Sequence, residues 1–194
     1  ALRAQAYGRK LPNVLELWRE PDAIDRAAGV VVFVARDNAS GEVIGTVRVA
    51  TNQYQPLQIE GSTTLPDGYA GLKAEITRLA VRPGHDDPQV RLALFKAVYL
   101  ECLARGVEWM VIGARSAALV RGYRRLGFTD VLADGAMVPL AHAGNLPHRV
   151  LAFNVRSAQS DWRAIRHPFY AFMVEQPHPE IEAGAQAHAI ALAA

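Results

Sequence analysis

Apolar residues recur along this chain at two spacings, every second position in some stretches and every third or fourth in others. The first spacing predicts strands with one buried face, the second predicts helices with one buried stripe. Leu11, Val14, Leu15 and Trp18 have the helical spacing, and Pro21 ends that run. Gly29 to Ala35 is valine-rich with one phenylalanine and predicts a strand. Asp37-Asn-Ala-Ser-Gly41 predicts a turn and Glu42 to Ala50 a returning strand, so residues 30–50 form an antiparallel hairpin. Thr51 to Leu72 follows neither period. It predicts a long connection with at most a short helix, the kind of segment that serves as a lid or binding wall. Ala74 to Val81 predicts a strand that is charged at one end and apolar at the other, with Glu75, Thr77 and Leu79 on one face and Ile76, Arg78 and Ala80 on the other.

The second half alternates in the same way. Asp87 and Pro88 suit the cap and first position of a helix, and Gly106 suits its end. Between them Leu92, Phe95, Tyr99 and Cys102 repeat at helical spacing, as do Val90, Leu94 and Val98, so the helix should pack on a sheet. Val107 to Gly113 predicts a buried strand, and strand–helix–strand implies a right-handed parallel crossover. Ser116 caps a further helix, with Leu119, Val120, Tyr123 and Leu126 inward, Arg121, Arg124 and Arg125 outward, and Gly127 as its left-handed stop. Ala136 to His142 and Arg149 to Val155 predict two more strands, Pro139 marking an irregular or edge position. Asp161 to Phe172 predicts a short helix broken by Pro168, and the alanine-rich end a helix or a tail.

A length of 194 residues fits one domain, which we divide into residues 1–155 and a C-terminal extension, 156–194, packing on or trailing from it. The net charge of +2 is too small to argue for nucleic acid. A lone Cys102 in an apolar helix excludes a disulfide framework and predicts an inert core thiol. The six histidines lack ligand spacing and read as loop residues, so no metal is expected; His85 is a weak candidate for proton transfer. No run of about 18 apolar residues exists to span a membrane and no signal-peptide pattern is visible, so the expected compartment is the cytoplasm.

Two charges change the picture. Glu75 and Arg48 each interrupt an apolar strand, and a buried charge is costly unless paired or in use. An exposed Glu75–Arg78 pair on an edge strand is the plain alternative for Glu75. Arg48 wants an anion, either a neighbouring carboxylate such as Glu75 or the carboxylate of a ligand.

The order of elements, with the helix ending Tyr123-Arg-Arg-Leu-Gly-Phe128, resembles the GCN5-related N-acetyltransferase (GNAT) superfamily over residues 30–155. Gly45-Thr-Val-Arg48, Glu75-Ile-Thr-Arg78-Leu, His167-Pro and His178-Pro-Glu-Ile181 look more narrowly like the N-acyl amino acid synthases, relatives of the acyl-homoserine-lactone synthases. The resemblance implies an α/β fold: a mixed, centrally splayed sheet flanked by helices. It also implies transfer of an acyl group, long in the narrower family, from a thioester to an amine. One departure stands out. The glycine-rich segment that cradles coenzyme A pyrophosphate in GNAT proteins is here Arg82-Pro-Gly-His-Asp-Asp-Pro88, with one glycine, two prolines and two acids. A carrier protein's phosphopantetheine has a single phosphodiester and needs less cradle.

The resemblance implies roles for particular residues. Glu75 is the candidate general base, directly or through water, or a structural partner of Arg78, itself substrate-orienting. Leu79 or Val81 offers a backbone N–H to the thioester carbonyl. Tyr123 protonates the leaving thiolate, or is only a core aromatic. Arg48 binds the acceptor's carboxylate. Arg82, Arg121, Arg124 and Arg125 meet the carrier or cofactor, or the last three are only the solvated face of their helix. No tightly bound cofactor is expected; acyl-phosphopantetheine on acyl carrier protein, or acyl-coenzyme A, enters as co-substrate, and a small amine is the other partner. The competing readings are an ordinary coenzyme-A-dependent N-acetyltransferase, a homoserine-lactone synthase using S-adenosylmethionine, and a catalytically degenerate module that binds acyl chains or a protein partner.

Overall fold

The valine-rich stretches pair as their pattern predicts. In the computed structural model, which describes residues 2–8, 22–85 and 88–183, β1 (Val30–Arg36) and β2 (Val43–Thr51) form the hairpin. β2 then lies antiparallel to β3 (Lys73–Val81). α2 (Pro88–Ala104) carries the chain to β4 (Trp109–Ala114), parallel to β3, which is the expected crossover. α3 (Ala117–Leu126) leads to the two-residue β5 (Thr129–Asp130), and β6 (Met137–Leu140) and β7 (Leu146–Asn154) complete the sheet. The strand order is β1-β2-β3-β4-β7-β5, with β6, the strand holding Pro139, paired only to β7. α1 (Leu2–Gly8) rests on β2 and β3, and α4 (Ala158–Ala164) follows β7. The helix expected from Leu11 to Arg19, the Asp87 cap and the alanine-rich end lie outside the described residues.

Local signals set the helix ends. The Ser116 hydroxyl accepts the Leu119 N–H, and Gly127 closes α3 at φ 108°. Leu119, expected inward, is 44% exposed; the buried stripe runs instead through Val120, Tyr123 and Leu126, at steps of three. One face of the sheet packs Val47, Val49, Ala74 and Ile76 against α2, and there Cys102 is buried and its thiol pushed up by that burial. The other face packs Leu57, Ile59, Val111, Leu140 and Val150. Residues after β7 return to the first face: Trp162 and Met173 are buried there, and Lys96 of α2 donates to the carbonyls of Phe172 and Gln176 at 2.5 and 2.7 Å. α4 starts and ends earlier than expected, because Arg166 at φ 50° stops it; a single π turn, Ala171–Glu175, follows Pro168.

The feature that makes the site lies at the centre. β3 and β4 pair at Lys73–Trp109, Ala74–Met110 and Glu75–Val111, and then part, while β4 stays with β7. On the other side of β3, Thr46 faces Ala80 and Arg48 faces Thr77, so Val47 stands opposite both Arg78 and Leu79. Such a bulge sharpens the strand's twist and re-aims its side chains. Arg78 takes φ 57° to make it, a conformation costly for a long side chain.

Candidate active site

Glu75 is the last residue of β3 joined to both neighbouring strands, and it is 1% exposed. It points to the face of Thr77, as alternation predicts. Beyond Thr77 alternation fails. Leu79 packs with Ile76 on the α2 side, while Arg78 turns to the Glu75 side and donates to Asp22 and to the His142 carbonyl, each at 3.4 Å. The bulge adds one residue, and one residue flips every side chain after it.

The unpatterned connection turns out to be part of the site. Its 3-10 turn Gln58–Gly61 puts the Ile59 N–H on Glu75 Oε2 at 3.1 Å, with Leu57 and Ile59 buried beneath. A second 3-10 turn, Ala141–Ala143, is tied to the first connection by the Ala141 N–H, which donates to Ser62 Oγ at 3.0 Å. It carries His142, whose Nε2 lies 3.2 Å from Glu75 Oε1. Burial pushes the Glu75 carboxyl up to about 7, against the Ile59 and Gln58 N–H groups and the charges of Arg48 and Arg78. Burial pushes His142 down to about 4, helped by Arg78, His148 and Arg48 and opposed by the Gln58 carbonyl. At neutral pH the imidazole is therefore uncharged and the carboxyl near its midpoint.

Arg48 has neighbouring carboxylates as its partners, as one of the two expectations had it, but they are Asp22 and Asp25 and not Glu75. It is fully buried; Nε donates to Thr77 Oγ1 at 2.9 Å, Nη1 to Asp22 at 2.7 Å and Asp25 at 3.3 Å, and Nη2 to Gln58 Oε1 at 2.6 Å. With its donors so occupied it makes no hydrogen bond to Glu75, and it locks Asp22, Asp25 and Gln58 beneath β3. Burial raises the Asp22 carboxyl, but the Arg48 hydrogen bond and charge, the Ile24 N–H and Arg78 together hold it below its usual range.

The gap side of β3 carries the other candidates. Arg82 N–H donates to the Ile44 carbonyl at 2.7 Å, towards β2, so alternation turns the Leu79 and Val81 amides the other way, into the gap. Tyr7 of α1, which no pattern singled out, donates its hydroxyl to the Leu79 carbonyl at 2.6 Å. Burial pushes Tyr7 up to about 12, against Arg78, Arg3 and Arg48. Tyr123 packs on Phe128, ring centroids 5.6 Å apart. Burial and the nearby Tyr7 push it up, and Arg91 draws it down. Both phenols are therefore protonated at neutral pH.

The basic residues split. Arg82 is paired with Glu42 and Arg124 with Asp130. Arg121 and Arg125 are exposed on α3 and have no ion pair among the described residues. His167 donates to or accepts at no reacting group; its Nε2–H donates to the Arg125 carbonyl at 2.6 Å, while His178 pairs with Glu180. Asp86 and Asp87 lie outside the described residues. The partners that sequence reasoning missed, His142, Tyr7, Asp22, Asp25 and Gln58, sit far along the chain from β3, and no local spacing announces them. Among the described residues, no group of three or more His, Cys, Asp or Glu side chains is placed to hold a metal ion, and no helix is long and apolar enough to cross a membrane.

A mixed sheet that opens at its centre, beside a buried carboxyl and two amides facing the gap, defines the class: a GNAT-like fold. The model of one family, described as N-acyl amino acid synthase FeeM, matches residues 1–143. The chain belongs to that family and is an N-acyltransferase, moving an acyl group to an amine. Among solved structures it is similar to FeeM, an N-acyl amino acid synthase from uncultured soil microbes, at 19% identity over 71% of this chain and 79% of that one, with a TM-score of 0.56. It is similar to BjaI, a coenzyme-A-dependent acyl-homoserine lactone synthase solved with SAM and isopentyl-CoA, at 19% identity over 97% of this chain and 88% of that one, TM-score 0.55. A GNAT-family acetyltransferase from Staphylococcus aureus Mu50 follows at 13% identity over 79% and 89%, TM-score 0.51. Among curated proteins none matches the chain by sequence.

Proposed function

We propose that this enzyme joins a long-chain fatty acyl group, delivered as a thioester on acyl carrier protein, to the amine of an amino acid or similar small molecule. The observation that carries the reading is Glu75: a carboxyl almost wholly buried, pushed up to about 7, at the point where β3 leaves β4. In this reaction the acceptor ammonium loses one proton, its nitrogen forms a bond to the thioester carbon and loses a second, the C–S bond breaks and the thiolate takes up one proton, so that one of the two nitrogen protons is matched by the thiol and the other stays with the enzyme. Glu75 is the group on which the amine's proton ends. The Leu79 and Val81 amides support the carbonyl oxygen as it gains charge. Tyr123, kept protonated by burial, supplies the thiolate's proton. Arg78, between Asp22 and the His142 carbonyl, orients the acceptor side.

The segment after β3 favours a carrier-borne donor. It has few backbone donors for a diphosphate, and the one guanidinium at its start is already paired with Glu42. An acyl-coenzyme A donor is the second reading, because BjaI is coenzyme-A-dependent. The test is to offer the purified protein an amino-acid mixture with long-chain acyl carrier protein, long-chain acyl-coenzyme A or acetyl-coenzyme A, and to read amides by mass spectrometry. Long-chain N-acyl amino acids from the carrier are the expected product. Acetyl amides as the main product overturn the long-chain reading, and a preference for acyl-coenzyme A overturns the donor.

A further inference from the structure

We propose that His142 is a catalytic residue that relays the proton: its Nδ1 takes a proton from the acceptor amine, directly or through one water, while its Nε2 passes its own to Glu75 Oε1. This rests on the reading of Glu75 as the final proton acceptor.

Glu75 by itself is badly placed to meet a substrate. It is 1% exposed, and Oε2 is committed to the Ile59 N–H at 3.1 Å. Oε1 has no hydrogen bond of good geometry among the described residues, and the group beside it is His142 Nε2 at 3.2 Å. The imidazole lies further out, its side chain 9% exposed against 1% for Glu75. A neutral imidazole that turns Nε2–H to a carboxylate presents a bare lone pair at Nδ1. That Nδ1 has no hydrogen-bond partner among the described residues. Unpartnered buried polar atoms on both sides of one contact call for an occupant or a function.

The ring is also held. The Ala141 N–H is anchored on Ser62 Oγ, and Arg78 donates to the His142 carbonyl. The groups facing it are Glu75, Arg78, Arg48 and His148, with the Gln58 carbonyl alongside. Three of these are basic and disfavour an imidazolium at rest, so a proton arriving at Nδ1 drives the Nε2 proton onto the carboxylate. The step balances: the amine becomes the neutral nucleophile, Glu75 holds the proton, and the imidazole stays neutral with its hydrogen now on Nδ1.

The test uses His142→Gln, which can still hydrogen-bond Glu75 but cannot relay a proton, and His142→Ala, with Glu75→Gln as the reference and thermal unfolding to confirm folding. Both His142 variants should lose roughly 10²-fold or more in kcat with little change in the KM for the acyl donor. Added imidazole should restore part of the activity of His142→Ala and none of that of Glu75→Gln. A His142→Gln protein with the parent kcat, or a slow His142→Ala that imidazole leaves unchanged, overturns the relay while an inactive Glu75→Gln leaves the Glu75 reading standing. An active Glu75→Gln overturns that reading itself.

Discussion

At the scale of single residues, Glu75 and His142 are each displaced by burial, in opposite directions, and this has consequences for stability that need no substrate. Glu75 sits at about 7 in the folded chain, above the ordinary 4.5, so folding favours its protonated form. Its contribution is fully present below 4.5 and is lost as pH rises through about 7, up to roughly 3 kcal/mol by the size of the shift. Glu75→Gln removes that cost. It should unfold at a higher urea midpoint than the parent at pH 8, with the difference shrinking towards pH 5; an equal difference at both pH values would mean the carboxyl is not raised. His142 has the reverse sign: held near 4 instead of 6.5, it loses stability as pH falls through that interval. Glu75 and Arg48 were legible because each is a charge among apolar strand residues. What each one touches was not, because Asp22, Gln58, Ile59 and His142 reach β3 only through the fold.

At the scale of elements, the hairpin, the crossover and both ends of α3 were readable because their signals are local: valine runs, turn residues, a serine cap, a glycine stop. The bulge was not. Alternation along β3 predicts Arg78 with Ile76, and only the pairing with β2 shows that one residue is extra. Because Arg78 sits at φ 57°, Arg78→Gly should be more stable than Arg78→Val by about 1–2 kcal/mol in urea unfolding, though both lose the guanidinium. Equal stabilities would show that the left-handed turn is not required there. Arg48 fastens the Asp22 and Gln58 segments to β2 and β3, so Arg48→Met should cost about 3 kcal/mol by leaving Asp22 with only its 3.4 Å contact to Arg78, Asp25 with only Arg3, and Gln58 Oε1 without its donor. A variant of parent stability with selectively raised KM for the acceptor would return Arg48 to the substrate-binding role.

At the scale of the whole molecule, family membership gives acyl transfer and the sheet topology gives the fold that goes with it, and the carrier-borne donor proposed above makes a prediction for the exposed arginines of α3. Arg121 and Arg125 have no ion pairs among the described residues, whereas Arg124 is paired with Asp130, so on the carrier reading the first two are the ones an acidic carrier would meet. Reversing both to glutamate should raise the KM for acyl carrier protein on the order of tenfold and leave the KM for acyl-coenzyme A in place. Equal effects on both donors would put the carrier elsewhere. The broad architecture was legible because element order constrains topology strongly. The site was legible along β2 and β3, where Arg48, Glu75 and Arg78 stand, and not in its other half, which comes from turns whose sequences carry no period.

The most direct measurement is the rate of amide formation by Glu75→Gln against the parent protein, with a long-chain acyl thioester and its preferred amino acid. A buried carboxyl that receives the amine's proton predicts a fall of about 10²-fold or more in a protein that still unfolds cooperatively. Product at the parent rate contradicts it.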